Sequence, residues 1–126
     1  MNIPENLLYT KEHEWCIINN KIATVGITDF AQSELGDIVF IEFPELNNNI
    51  YKDQPIGTIE AVKTVADIYT PISGKVIKIN NSIEDSPELI NTSPYDEGWI
   101  LSIETDESIN SSEYLSSSEY KKFLGL

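Results

Sequence analysis

The chain has 126 residues with 8 Lys+Arg and 21 Asp+Glu, which gives a formal net charge of −13 at pH 7, and all of its cations are lysines. Nucleic acids and anionic membrane surfaces need a basic patch, so this charge argues against both as partners. The single cysteine and the single histidine exclude an internal disulfide and a metal cage built on those residues, and we expect neither catalytic residues nor a metal site.

The composition, 40% hydrophobic and 10% aromatic, is that of a folded chain, and its length fits one domain over residues 1–126. The first residues have neither a basic start nor an apolar run, so they do not resemble a secretory or transit peptide. No segment approaches the roughly 18 apolar residues of a membrane span. We therefore expect a cytoplasmic protein without a membrane partner.

Short segments rich in β-branched residues and bounded by turn residues predict a series of strands. In chain order these segments cover residues 21–27, 37–43, 55–60, 74–80 and 99–103. Thr28 or Asp29 can cap a short helix over residues 29–35, with Gly36 just past its end. The asparagines at 47–49 predict a tight turn. This spacing predicts a mainly β fold, a compact sandwich or barrel.

The last segment, residues 105–126, has a different character because it is rich in serine and glutamate. Ser116 followed three residues later by Glu119 has the form of a capping box. Tyr120 and Phe123 then recur at helical spacing. We expect a mostly helical C-terminal extension with one or two short helices packed on the β-body.

A lysine stands alone between two strand signals, in the segment from Glu60 to Asp67. Lys63 would occupy the tip of a hairpin, yet residues 61–66 contain no Gly, Asn or Pro, which normally build such a tip. A stiff hairpin that holds one exposed ε-amine outward between two acids is a suitable target for acylation. The alternative is an ordinary solvated surface lysine, and the local pattern by itself leaves both open.

Motifs along most of the chain resemble the H proteins of the glycine cleavage system, which are lipoyl-bearing carriers. The motifs are, in chain order, residues 9–15 (YTKEHEW), 26–32 (GITDFAQ), 35–40 (LGDIVF), the lysine hairpin, 71–74 (PISG), 84–91 (EDSPELIN), Pro94-Tyr95 and Gly98-Trp99. Their common order over residues 9–103 makes the resemblance specific. The sequence departs from the family's usual serine, alanine and serine at Ala61, Thr64 and Ala66, and Val65 is bulkier than the residue usual at its position. These changes bear on how a lipoylating enzyme reads the loop rather than on the attachment point.

The resemblance implies a flattened lipoyl/biotinyl-type hybrid barrel-sandwich with short helices, including one or two at the C-terminus. It implies a single lipoyl-carrier domain in which Lys63 bears lipoic acid in amide linkage, attached by a lipoylating enzyme. The chain would then be a carrier rather than an enzyme. A pyridoxal-phosphate-dependent glycine decarboxylase would load an aminomethyl group onto the arm, a tetrahydrofolate-dependent aminomethyltransferase would remove it, and dihydrolipoyl dehydrogenase would reoxidise the dithiol. A monomer best serves such a shuttle.

Acidic residues near the lysine have expected roles of their own. Glu60 and Asp67 flank Lys63 and would form an acidic collar that the partner enzymes or the lipoylating enzyme recognise. In the family, the segment matching residues 13–15 lines a cleft that receives the loaded arm, so Glu14 is expected to hold the cationic aminomethyl group. His13 is expected to be a structural hydrogen-bonding residue, and the nearby cysteine a small core residue.

Other functions fit parts of the pattern. A lipoyl domain of a 2-oxoacid dehydrogenase normally lies in a longer chain with Pro/Ala-rich linkers, and the sequence has no such linker. A biotin carrier presents its lysine between two methionines, whereas the sequence has only Met1. The remaining alternative is a lipoyl relay or an unmodified binding module that does not serve glycine cleavage, which the altered residues around Lys63 leave open.

Overall fold

The structure is a computed structural model that describes residues 1–105 and 111–126. Over this part of the chain the strands are β1 Leu8–Tyr9, β2 Glu14–Asn19, β3 Ile22–Ile27, β4 Ile38–Glu42, β5 Asn49–Ile50, β6 Pro55–Ala61, β7 Val65–Tyr69, β8 Gly74–Ile79 and β9 Leu101–Glu104. The helices are α1 Asp29–Leu35, α2 Asn81–Asp85, α3 Leu89–Thr92 and α4 Ser117–Phe123, with a 3₁₀ turn at Ser111–Glu113. The predicted mainly β fold with short helices is confirmed.

The strands form two antiparallel sheets with the core between them. The larger sheet has the order β1-β2-β3-β9-β8-β5, and the smaller one has the order β4-β6-β7. The core joins buried aliphatic side chains from both sheets, among them Val25, Ile27, Ile41, Ile59, Ile68, Val76 and Ile103. The smaller sheet therefore has one face in the core and one face toward solvent.

Strand alternation decides which side chains of the smaller sheet enter the core. Successive side chains of a strand point to opposite faces, and in β6 Ile59 and Ala61 are buried while Glu60 between them is exposed. In β7, Ile68 is buried and Asp67 is exposed. The β6–β7 hairpin is thus anchored by its apolar face and presents its other face outward.

The strand predictions agree with the structure to within a residue at each end for β3, β4, β6 and β8. The last strand begins at Leu101 rather than at residue 99, because the Trp99 amide donates to the Asp96 carbonyl in a turn. The sequence did not predict β1, β2, β5, α2 or α3, which are short or lack a clean alternation.

Side-chain caps define the two longest helices. The Thr28 hydroxyl accepts a hydrogen bond from the Ala31 amide at 3.2 Å and begins α1, and Gly36 at φ 79° follows its last residue. In α4 the Ser116 hydroxyl accepts from the Glu119 amide, and the Glu119 carboxylate accepts from the Ser116 amide. The predicted capping box is therefore confirmed.

The C-terminal segment joins the β-body through both a strand contact and a helix. Leu115, between the 3₁₀ turn and α4, exchanges backbone hydrogen bonds with Tyr9. Residues 106–110 of the predicted helical extension lie outside the described residues. Within the described ranges, each helix is too short or too polar to cross a membrane.

Candidate functional site

Lys63 stands at the tip of the hairpin formed by β6 and β7. Val62 and Lys63 lie between Ala61 and Thr64, and the Ala61 amide donates to the Thr64 carbonyl at 2.8 Å. Neither tip residue has a positive φ, so the turn needs no glycine or asparagine. The Val62 amide donates to the Asp37 carbonyl at 3.0 Å, just before β4. The hydrogen bond from Val62 to Asp37 holds the tip in place without the glycine, asparagine or proline that such a turn normally contains.

The Lys63 side chain is exposed. Among the described residues, it makes neither an ion pair nor a side-chain hydrogen bond. Lys52, by contrast, pairs with Glu113 at 3.3 Å and lies over the ring of Tyr114. The Lys63 amine therefore has no contact in the described part of the chain that an incoming reagent would have to break.

The two acids predicted to flank Lys63 lie on the outer face of the smaller sheet. Glu60 pairs with Val65 across the hairpin, and Asp67 pairs with Thr58, so these four side chains point to the same side. Both acids are exposed. The structure brings Glu60 and Asp67 to one face of the lysine hairpin, with Asp67 further from the tip.

Two recesses lie beside the hairpin. The first, with a volume of about 280 Å³, is lined by Val62, Lys63 and residues 33–37. The second has a volume of about 420 Å³ and lies between α1, the hairpin and the turn before β2. Glu34 and Leu35 line both recesses. The recess at Lys63 and the larger recess, which we call the cleft, therefore lie next to each other at the end of α1.

The cleft combines an apolar lining with acidic groups. Its apolar lining residues are Ile27, Phe30, Ala31, Leu35, Ile59 and Ala66. Its polar lining residues are Glu12, His13, Glu34 and Asp67. An apolar recess with a few carboxylates suits a ligand that combines an alkyl chain with a positive charge.

Glu14, the predicted cleft residue, is buried at the start of β2 with 4% of its surface exposed. Its carboxyl accepts a hydrogen bond from the Thr10 hydroxyl at 2.9 Å. Loss of hydration raises the pKa of Glu14 from 4.5 to about 7, although hydrogen bonds from Thr10 and the Tyr69 backbone lower it. Glu14 is not among the described residues that line the cleft. It adjoins the cleft because it directly follows His13 and bonds to Tyr69, two residues beyond Asp67.

Comparison with known proteins identifies the family. The family model described as glycine cleavage H-protein matches residues 7–125. The chain belongs to this family. It is 52% identical over 124 residues to the glycine cleavage system H protein of Listeria monocytogenes serotype 4a (strain HCC23), covering 98% of this chain and 99% of the relative. The H protein of Staphylococcus epidermidis (strain ATCC 12228 / FDA PCI 1200) is 46% identical over 125 residues, with 99% of each chain covered.

A solved structure of the glycine cleavage H-protein family has the same fold. The crystal structure of a glycine cleavage system H protein from Mycobacterium marinum superimposes with a TM-score of 0.91 at 35% identity, covering 98% of this chain and 100% of the other. Membership in this family sets aside the 2-oxoacid dehydrogenase lipoyl domain and the biotin carrier. The family match reaches residue 125 and therefore includes α4.

The C-terminal helix holds His13 in place. His13 Nδ1 lies 2.9 Å from the Tyr120 hydroxyl, and its ring centroid lies 4.6 Å from that of Phe30. Burial lowers the pKa of His13, while the charges of Glu12 and Glu34 raise it. His13 is confirmed as a structural hydrogen-bonding residue, and the structure adds that it lines the cleft.

Cys16 is confirmed as a core residue. Only 1% of it is exposed, and burial raises its pKa to about 12, so its thiol is not poised to react. Among the described residues, no group of three or more His, Cys, Asp or Glu side chains is placed to hold a metal ion.

Sequence reasoning missed two acids of the cleft, Glu12 and Glu34, and the hydroxyl of Tyr120 that holds His13. Glu34 lies on the exposed side of a short helix, where the sequence pattern does not distinguish a solvated acid from a cleft acid. The available signal was Leu35, which places this turn of α1 beside the apolar interior.

Replacing Glu14 by glutamine should change how stability depends on pH. The folded-state pKa of about 7 exceeds the ordinary value of 4.5, so the contribution of Glu14 is fully present below pH 4.5 and is lost as the pH rises through 7. Glutamine does not ionise and can still accept from Thr10. We expect the unfolding free energy of Glu14→Gln, relative to wild type, to rise by about 3 kcal/mol between pH 4.5 and 8. Urea unfolding at several pH values measures it, and parallel pH profiles would contradict it.

Proposed function

We propose that this member of the glycine cleavage H-protein family is the lipoyl carrier of the glycine cleavage system. It would take an aminomethyl group from the pyridoxal-phosphate-dependent glycine decarboxylase to the tetrahydrofolate-dependent aminomethyltransferase, and dihydrolipoyl dehydrogenase would then reoxidise it. It acts as a non-catalytic carrier, and one domain over residues 1–126 performs this role. The observation that carries the proposal is Lys63, exposed at the tip of a tethered hairpin and beside a recess.

The residues around Lys63 fit an amide-linked lipoyl group. A lysine stem with a lipoyl chain forms an arm on the order of 14 Å long. The recess beside Lys63 and the cleft both have Leu35 in their lining, so we propose that the arm reaches the cleft past this side chain. When bound, the lipoyl group supplies a pair of sulfurs that carry the one-carbon cargo and exchange two electrons. The protein supplies position, since a flexible arm on a fixed hairpin raises the effective concentration of its end at each active site.

The acids of the cleft suit a cationic cargo. Glu12, Glu34 and Asp67 line the cleft. The charges of Glu12 and Glu34 attract an aminomethyl cation and help to keep it from bulk water, whereas the Asp67 side chain points to the outer face of the smaller sheet. Glu14 adjoins them with a pKa of about 7. A cation nearby favours the ionised form of this carboxyl, so binding of the cargo and loss of the Glu14 proton support each other. We assign Glu14 the role of holding the cargo from behind the cleft lining.

The negative charge of the protein surface suits brief encounters with several enzymes. Glu60 and Asp67 form an acidic collar around the hairpin, and complementary charge mainly raises the association rate. A net charge of −13 makes two copies repel each other. We therefore assign the protein a monomeric state in the cytoplasm.

Reconstitution tests the carrier function. The protein is first treated with lipoate, ATP and a lipoate–protein ligase, and its intact mass should rise by one lipoyl increment. When the lipoylated protein is mixed with glycine and glycine decarboxylase, its mass should rise by the aminomethyl increment, and CO₂ should be released from glycine. In Glu14→Gln the aminomethylated form should decay at least about threefold faster, because one negative charge behind the cleft lining is lost. A chain that accepts lipoate but supports no decarboxylation would instead be the lipoyl relay, and a chain that accepts none would be the unmodified binding module.

A further inference from the structure

We propose that the outer face of the smaller sheet, next to the hairpin tip, is the docking surface for the enzyme that acylates Lys63. We call this surface the tip face and define it by Phe40, Glu60, Val62 and Val65. The inference rests on the proposed carrier function. It adds to that function a docking surface with three apolar contact residues, Phe40, Val62 and Val65.

The tip face is a cross-strand row with an apolar residue on each side of an acid. Phe40 on β4 pairs with Glu60 on β6, and Glu60 pairs with Val65 on β7. Side chains paired in this way stand about 5 Å apart on one face of a sheet. Phe40 is 50% exposed, Val65 60% and Val62 70%. Large apolar side chains clustered on an outer face mark a contact surface.

The position of the tip face beside Lys63 indicates which enzyme binds there. The Lys63 amine reaches on the order of 6 Å from its Cα atom. An enzyme that forms a bond to this nitrogen must bring its active site onto the hairpin tip and therefore cover Val62 and Val65. The enzymes that act on the far end of the arm, on the order of 14 Å away, have no such requirement. The acylating enzyme is the partner for which contact with the tip face is unavoidable.

The negative charge of the tip face indicates what kind of surface the acylating enzyme presents to it. Beside the row, Glu42 and Asp67 pair with Thr58 from either side and are both exposed. The matching surface is an apolar patch with a lysine or arginine rim that meets Glu60. A second copy of this chain is disfavoured as an occupant because its own acids would face these acids.

The docked complex allows the transfer of a lipoyl group to Lys63. The deprotonated Lys63 Nζ attacks the carbonyl carbon of an activated lipoyl donor, an acyl adenylate, and an amide C–N bond forms. The C–O bond to the adenylate phosphate breaks, AMP leaves with that electron pair, and the remaining amine proton passes to solvent. The tip face touches none of these atoms. Its variants should therefore lower kcat/KM through weaker docking.

The double variant Phe40→Thr with Val65→Thr tests the proposal. Threonine keeps the β-branched preference for strands but removes apolar surface. With a lipoate–protein ligase, lipoate and ATP, the rate of lipoyl mass gain at low carrier concentration should fall at least about tenfold, as expected for central contact residues. Glu60→Gln should slow the reaction and flatten its dependence on salt.

A matched control comes from the larger sheet. Ile17 and Ile22 are 39% and 41% exposed on β2 and β3, and their double change to threonine should alter the rate less than twofold. Urea midpoints check folding, and Val65→Thr alone replaces the double variant if that one is unfolded. The double variant of Phe40 and Val65, once driven to full lipoylation, should still be loaded by glycine decarboxylase at near the wild-type rate.

Three results would overturn the proposal. Attachment to the tip-face variant at the wild-type rate would do so, as would equal losses in the tip-face variant and the matched control. A decarboxylase step slowed as much as attachment would assign the face to that enzyme instead. Failure of the carrier function itself has a different signature, because wild type would then gain no lipoyl mass at all.

Discussion

Replacing Lys63 by arginine is expected to abolish lipoyl attachment while leaving the fold intact. Arginine keeps the positive charge and the approximate length of lysine, but its guanidinium stays protonated and is no acyl acceptor at neutral pH. The Lys63 side chain is exposed and has no ion pair within the described residues. The free energy of unfolding should therefore change by no more than about 0.5 kcal/mol.

Intact mass after treatment with lipoate, ATP and a lipoate–protein ligase measures this prediction. Wild type should gain one lipoyl increment, and Lys63→Arg should gain none. Acylation also removes one positive charge, so wild type should become one unit more negative than −13 and migrate faster on a native gel. Lys75→Arg, an exposed lysine on β8 in the other sheet, should behave as wild type. A lipoyl increment on Lys63→Arg would contradict the prediction and place attachment elsewhere.

The strands that can be predicted from sequence are those in which apolar and polar residues alternate with a period of two. In β3, Ala23, Val25 and Ile27 are buried, Ile22 is exposed and Thr24 is half-buried, so the alternation is clear over most of the strand. β2 runs from Glu14 to Asn19 with its first three residues all buried, so it has no such alternation. The helices α2 and α3 have five and four residues, too few to display a helical period.

The predictable part of the site is the part that lies in one stretch of chain. Lys63, Glu60 and Asp67 are neighbours in sequence, and a hairpin keeps them neighbours in space. The cleft is different, because Glu12, α1 and β7 come together only through the packing of two sheets. The reason for the glycine-free tip was also hidden from sequence, since the tether comes from the carbonyl of Asp37.

Replacing Tyr120 by alanine is expected to be the most destabilising single change at the C-terminal helix. Tyr120 is fully buried, and its ring stacks on Tyr9 with centroids 4.7 Å apart and planes 4° apart. Its hydroxyl lies 2.7 Å from Thr28 Oγ1 and 2.9 Å from His13 Nδ1. Alanine removes the ring and leaves a cavity, and it deprives two side chains of their partner. The cost should be about 4 kcal/mol.

Urea unfolding of a graded set separates the causes. Tyr120→Phe keeps the stacking and loses only the hydroxyl contacts, so it should cost about 1 to 2 kcal/mol. Phe123→Ala, on the same helix but 46% exposed, should cost less than about 1 kcal/mol. If Tyr120→Ala were no worse than Phe123→Ala, α4 would not be docked through Tyr120. His13 contacts the Tyr120 hydroxyl and also lines the cleft. The expected loss of stability in Tyr120→Ala therefore indicates that the C-terminal helix supports the cleft that the lipoyl arm would enter.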